Sequence, residues 1–214
     1  MSRALAKSSA AGSSLPARGG AGGGLAFREL KRELFTQAAI RGGGLALLWV
    51  LEIVDQLFLH GSLDQLGIRP RTLTGLRGIL LAPLLHGGFA HLVSNSVPLL
   101  VLGWMVMLRE TRHIFPVTAL ATLVGGLGVW LVGAPGSVHI GASIVVFGYL
   151  GYLLLRGWFE RSLWSIVGSL FVAVLYGGLV LGVLPGQAGV SWEGHLFGFL
   201  GGVLAARLMR KKRS

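Results

Sequence analysis

The sequence predicts an all-α membrane protein with six transmembrane helices. Three observations carry that prediction. The chain of 214 residues is 53% hydrophobic and only 13% charged, about half the charged share of an average soluble domain. Its apolar residues run in long stretches with few charges, and most are long enough to cross a bilayer. Glycine occurs 35 times, and in a bilayer small residues let helix backbones approach closely.

The elements follow in order. Residues 1–26 are rich in Ala, Gly and Ser, carry Arg3, Lys7 and Arg18, and contain no acid. They read as a disordered basic cytoplasmic tail. The apolar core and small-residue cleavage site of a secretory signal are missing; an organelle transit peptide has a similar composition and stays as an alternative. Residues 27–40 open with Phe27-Arg28-Glu29-Leu30-Lys31-Arg32-Glu33-Leu34. Phe27, Leu30 and Leu34 share one helical face, so this stretch is expected to lie on the membrane surface as an amphipathic helix. A six-helix domain is expected over residues 41–210, with spans at 43–60, 89–108, 113–133, 142–156, 162–184 and 193–209. Residues 211–214 form a basic tail. The fourth span is the shortest. At 1.5 Å per residue it covers roughly 20 Å of the ~30 Å hydrocarbon core. The uncharged segment Val132-Gly133-Ala134-Pro135-Gly136-Ser137-Val138-His139-Ile140 before it is expected to dip beside other helices and set Ser143 below the surface.

Lys and Arg set the orientation. Arg28, Lys31, Arg32 and Arg41 precede the first span; Arg109 and Arg112 join the second to the third; Arg156 and Arg161 join the fourth to the fifth; Arg207, Arg210, Lys211, Lys212 and Arg213 close the chain. All fall on one side if both termini are cytoplasmic. The other side holds Arg69, Arg71 and Arg77, in one long connection. The net charge of +11 therefore reads as topology signal and lipid contact. No basic stripe with interleaved aromatics suggests nucleic acid. Trp104, Trp130, Trp158 and Trp164 are expected to anchor helix ends at the interface. There is no Cys, which excludes disulfides, thiolate zinc sites and a Cys nucleophile.

Polar side chains inside apolar spans are costly and mark function. Ser143 and His195 stand at the starts of the fourth and sixth spans, on the non-cytoplasmic side of the inferred topology. His86, His91 and Asn95 stand at the start of the second. His91 and Asn95 share a helical face, as do Ser143 and Phe147, and His195, Gly198 and Gly202. Gly148 and Gly151 add small residues to the fourth span, so close packing on the sixth would bring the His195 imidazole to the Ser143 hydroxyl. A serine becomes a nucleophile when a base takes its proton, and histidine suits that task. Glu193 faces away from His195, so the reading is a Ser–His dyad, its imidazole packed on Phe147. The Ser143 N–H at a helix N-terminus, with the Asn95 and His91 side chains, would hold an oxyanion.

Three motifs carry a resemblance: His86-Gly87-Gly88-Phe89-Ala90-His91-Leu92-Val93-Ser94-Asn95, Gly141-Ala142-Ser143, and His195-Leu196-Phe197-Gly198-Phe199-Leu200-Gly201-Gly202. Together they resemble the rhomboid intramembrane serine proteases, in the family's order, over about residues 40–210. The resemblance implies a six-helix rhomboid fold, Ser143 as nucleophile, His195 as base, and His91 and Asn95 in the oxyanion site. It also implies Phe147 stacked on the histidine. The implied substrates are membrane proteins cut in or beside a transmembrane segment, in contact with membrane lipids and without a cofactor. Six spans without a flanking helix look like the bacterial form, so a bacterial cytoplasmic membrane is expected. Two departures stand out. Many members have Gly after the nucleophile where this chain has Ile144, so a narrower site or altered specificity is expected. Many also carry a Trp-Arg pair in the first loop, which here reads Gly67-Ile68-Arg69-Pro70-Arg71, so different lipid contacts are expected.

Other readings compete. A catalytically silent rhomboid-like protein would bind membrane helices without cutting them. Glu52 and Asp55, three apart in the first span, would suit a proton path in a small transporter; the simpler reading is contact with the first loop's arginines or with water. His139 is a rival base to His195. His86, His91 and His195 offer three imidazoles to a metal, but with no accompanying carboxylate or HExxH-type spacing. His86 is read as ordering the loop into the second span, with Gly141, Gly198 and Gly202 in support.

Overall fold

The computed structural model describes residues 21–187 and 189–210. The expected tail over residues 1–20 and the basic residues 211–214 lie outside them. The described residues form seven α-helices with short 3₁₀ and π turns and no strand. They are α1 (Ala21–Val54), α2 (Leu73–Leu81), α3 (Phe89–Met107), α4 (Ile114–Val132), α5 (Ser143–Glu160), α6 (Leu163–Tyr176) and α7 (Trp192–Leu208). Four stretches are long and apolar enough to cross a membrane: Gly24–Leu59, Phe89–Met107, Thr111–Val132 and Leu163–Val183. The chain is an integral membrane protein.

Two compact units divide the chain at Thr36 and Gln37. In the first, the Lys31 ammonium sits 4.5 Å from the Phe27 ring centroid, and Phe27, Leu30 and Leu34 are exposed. The stretch expected as a surface helix, residues 27–40, falls within the residues of α1.

The second unit holds the core. Its centre is α5, most of which is buried, packed chiefly on α7, which in turn packs on α4. Glycine makes this possible. A Cβ on Gly202 would meet the Gly148 carbonyl carbon at 2.7 Å and the Tyr152 nitrogen at 2.8 Å. One on Gly198 would strike the backbone of Ile144, and one on Gly151 that of Phe199. The two helices meet backbone to backbone.

Some boundaries differ from those expected. Helix α5 runs to Glu160 rather than 156, because its charges pair instead of ending it. Arg156 Nε lies 3.1 Å from Glu160 Oε1 one turn on, and Arg109 pairs with the same carboxylate. Helix α6 stops at Tyr176 and tightens into a 3₁₀ segment over Gly177–Val183, where Gly177, Gly178 and Gly182 weaken α-helical propensity. Helix α2 lies in the long connection read as loop. Its N-cap is Thr72, whose Oγ1 accepts from the Gly75 N–H at 3.0 Å.

That connection is a scaffold. Ile68 and His139 exchange backbone hydrogen bonds at 2.9 and 3.0 Å. The Arg71 guanidinium donates to the Leu131 and Gly133 carbonyls, both at 2.9 Å. Arg71 is thus a strut to the end of α4. Trp130, expected at the interface, donates its indole N–H to the Thr72 carbonyl at 2.8 Å.

Two substitutions test the helix contact. Gly202→Ala is expected to lower the thermal midpoint in detergent by the equivalent of about 1–3 kcal/mol. Gly168→Ala, where a Cβ meets nothing within 4 Å, is expected to leave it unchanged or raise it.

Candidate active site

Three helix starts and one 3₁₀ segment surround a cavity of about 910 Å³. Ser143, His195, His91 and Asn95 all line it, with Phe147, Gly182, His139 and Ser191.

Ser143 is the first residue of α5. The turn before it needs glycine: Gly141 has φ +119°, and a Cβ there would stand 2.8 Å from the His91 ring. Two bonds hold the turn. The Gly141 N–H donates to the Ala82 carbonyl at 2.8 Å, and the Ala142 N–H donates to His86 Nε2 at 3.3 Å. His86 therefore orders the turn that leads into Ser143. Burial and the nearby His91 press its pKa down to about 4, so it stays neutral and keeps Nε2 as an acceptor.

His195 stands one turn into α7. Its ring stacks on Phe147 with centroids 4.0 Å apart and planes 8° from parallel. Its Nδ1 lies 2.9 Å from the Gly182 carbonyl oxygen. A carbonyl only accepts, so Nδ1 carries the proton and Nε2 bears the lone pair. Sequence reasoning found no third group for this histidine. The group is a backbone oxygen, and the only trace in the sequence is the glycine itself. A Cβ on Gly182 would stand 2.9 Å from the Phe147 ring and 3.2 Å from His195 Nδ1. Among the described residues no direct hydrogen bond joins Ser143 to His195; they share the cavity.

His91 is also held by a backbone group, with the opposite tautomer. The Gly87 N–H donates to its Nδ1 at 3.3 Å, so Nε2–H is the free donor. The place a Gly141 Cβ would occupy lies 2.8 Å from His91 Nε2 and 3.6 Å from Ser143 Oγ, so that donor borders the serine hydroxyl. Asn95 is buried and gives one amide hydrogen to the His91 carbonyl at 3.2 Å, which leaves a second donor.

Several expectations change. Ile144 does not narrow the cavity. It is 2% exposed, packs with Ile68, Ile79 and Val129, and fills the space beside Gly125 of α4. Glu52 and Asp55 do not meet the loop arginines: Asp55 Oδ1 accepts from the Leu63 N–H at 2.9 Å, and Arg69 bonds to Gln65. Asp64 lies close to both acids, and burial with that repulsion pushes its carboxyl up to about 6. The rival base His139 has both ring nitrogens occupied, by Ser137 and Ser191, each at 2.7 Å. Among the described residues no three His, Asp or Glu side chains converge as a metal site would require.

The helix order and this site define a membrane protein of the kind its three motifs resemble. A family model described as the Rhomboid domain matches residues 74–212. An uncharacterised protein of Mycobacterium tuberculosis is 48% identical over 173 residues, covering 77% of this chain and 71% of its own. One from Mycobacterium leprae is 46% identical, with 77% and 68% covered. The putative rhomboid protease YdcA of Bacillus subtilis is 31% identical, with 61% and 65% covered. The chain belongs to the rhomboid family.

Two measurements follow from the geometry. Ile144→Ala is expected to cost about 2–5 kcal/mol of stability through the void left beside Gly125, with the cavity mouth unchanged. For His86, the unfolded chain binds the proton more readily than the folded one. Stability is therefore expected to fall as pH drops from 6.5 toward 4, by at most about 3 kcal/mol from this residue. Asp64 works in the opposite sense, so the comparison is with His86→Gln, whose thermal midpoint should fall less steeply over the same range.

Proposed function

We propose that the chain is an intramembrane serine endopeptidase that hydrolyses peptide bonds in or beside transmembrane segments of membrane-protein substrates. The observation that carries this is the pair of histidine tautomers. Gly182 leaves His195 Nε2 as a base, Gly87 leaves His91 Nε2–H as a donor, and both residues line one cavity with Ser143. In this reading Ser143 Oγ attacks the scissile carbonyl carbon while its proton passes to His195 Nε2. The oxyanion is received by the Ser143 N–H, one of the unpaired amides at the α5 N-terminus, with His91 Nε2–H and Asn95. Collapse expels the amine, which takes the proton from His195; water then cleaves the acyl-enzyme by the same route.

The reading includes six spans, with α5 and α7 as the fourth and sixth, and both termini on the cytoplasmic side of a bacterial cytoplasmic membrane. The cavity then opens toward the non-cytoplasmic side. A substrate helix must unwind to present a carbonyl, so sequences with Gly or Pro near the cut should be preferred. The M. tuberculosis and M. leprae relatives support a bacterial setting, and the B. subtilis name supports the chemistry.

The test is labelling by a fluorophosphonate and cleavage of a transmembrane reporter in detergent. Wild type is expected to label and cut, and Ser143→Ala to do neither. A folded wild type that binds the reporter but neither labels nor cuts would favour a silent helix-binding protein instead. His195→Ala is expected to abolish cleavage. His91→Ala is expected to lower kcat by about 10²–10³ with KM little changed, as for loss of one oxyanion donor. Gly182→Val is expected to lower kcat strongly, because its side chain would press on both Phe147 and His195.

A further inference from the structure

We propose that His139 is a positioning residue: a clasp that sets α7, and with it His195, against the turn that carries Ser143. The inference rests on the proposed protease reading. It starts from a chain of hydrogen bonds. The Gly194 N–H donates to Ser191 Oγ at 3.2 Å; Ser191 Oγ lies 2.7 Å from His139 Nδ1; His139 Nε2 lies 2.7 Å from Ser137 Oγ; Ser137 Oγ donates to the Ala134 carbonyl at 2.6 Å.

The directions are forced. Ser137 gives its only proton to a carbonyl, so it accepts from His139, and Nε2 carries the hydrogen. Nδ1 is then the acceptor, and the Ser191 hydroxyl donates to it. The Ser191 oxygen remains free to accept from Gly194 as the N-cap of α7. One neutral tautomer satisfies every group. His139 is only 9% exposed, and its backbone is held on both sides by Ile68.

The placement gives the clasp its meaning. His139 stands four residues before Ser143, and Ser191 four residues before His195. The His195 N–H also donates to the Ser191 carbonyl at 3.1 Å. Ser191 is thus joined to the base through the first turn of α7, and His139 is joined to the nucleophile by four residues of chain. Below them α5 and α7 meet through glycine, and among the described residues no side-chain hydrogen bond joins the two helices; only the stacking of Phe147 on His195 adds a side-chain contact there. The His139–Ser191 bond is the polar key at the end of that contact, where the two reacting groups stand.

The experiment compares His139→Phe, His139→Gln, Ser191→Ala and Ser191→Asp in detergent. The readouts are the fluorophosphonate labelling rate per folded protein, kcat and KM for the reporter, and the thermal midpoint. His139→Phe is expected to lower the labelling rate and kcat on the order of 10-fold to 100-fold with KM little changed, as for a small misplacement of a reacting group. His139→Gln, with one acceptor and one donor, should recover part of the loss. Ser191→Ala, which removes both the cap and the link, should lose activity; Ser191→Asp, whose carboxylate caps Gly194 and accepts from the opposite His139 tautomer (Nδ1–H, with Ser137 donating to Nε2), should recover part of it. A wild-type labelling rate in His139→Phe or in Ser191→Ala, or losses that only follow the folded fraction, would overturn the clasp. An inactive wild type would instead overturn the protease reading. The ¹⁵N spectrum of the His139 ring then decides the clasp: a single Nε2–H tautomer that is lost in Ser191→Ala supports it, and a mixture of tautomers overturns it.

Discussion

The contact between α5 and α7 is the constraint on which the rest of this molecule depends. It is made of backbone on backbone at Gly148, Gly198 and Gly202. In a bilayer the hydrophobic effect does not drive helices together, so close van der Waals approach must do that work. The same contact brings the starts of two helices together, one carrying Ser143 and the other His195. Larger side chains along the seam would separate the helices and the two residues with them. The site and the fold are consequences of one packing decision.

Around that seam three polar groups are bonded on one side and open on the other. His195 is held by Gly182, His91 by Gly87, and Asn95 by the His91 carbonyl. A buried imidazole without such a partner would leave its tautomer undefined and its desolvation uncompensated. Backbone groups serve as these partners because they cannot titrate, and they add no charge to an apolar setting. The long first connection supplies the remaining order. Ala82 and His86 hold the Gly141–Ala142 turn, Ile68 pairs with His139, and Arg71 ties the end of α4. The loop is a brace: Arg71 bonds to backbone carbonyls at the end of α4 and Arg69 to Gln65, while the buried Asp55 accepts from the Leu63 N–H.

The substitution that departs from the family pattern follows the same logic. Ile144 occupies a volume that Gly125 leaves open, on the side of α5 turned away from the cavity. A branched residue beside Ser143 changes helix packing and leaves the cavity lining as it is. The face a side chain takes on a helix decides its role more than its distance from a reacting residue in sequence.

Hydropathy pointed to the four helices that are long and apolar enough to cross a bilayer, because a crossing demands about 20 apolar residues. Helical periodicity put His91 with Asn95, and His195 with Gly198 and Gly202, because side chains three and four apart share a face whatever surrounds them. The three motifs marked the family for the same reason: they are local. The rest is long-range. The extension of α5 to Glu160 needed the pairing with Arg109, 51 residues away. The anchor on His195 needed a backbone oxygen, which no residue type announces. The His139–Ser191 bond spans 52 positions, and each partner alone looks like an ordinary loop residue. Helix identity was settled by the chemistry of neighbouring residues. Tautomers, anchors and the meeting of two helix tips were settled only by folding, since a hydrogen bond between distant segments exists nowhere until packing brings its donor and acceptor together.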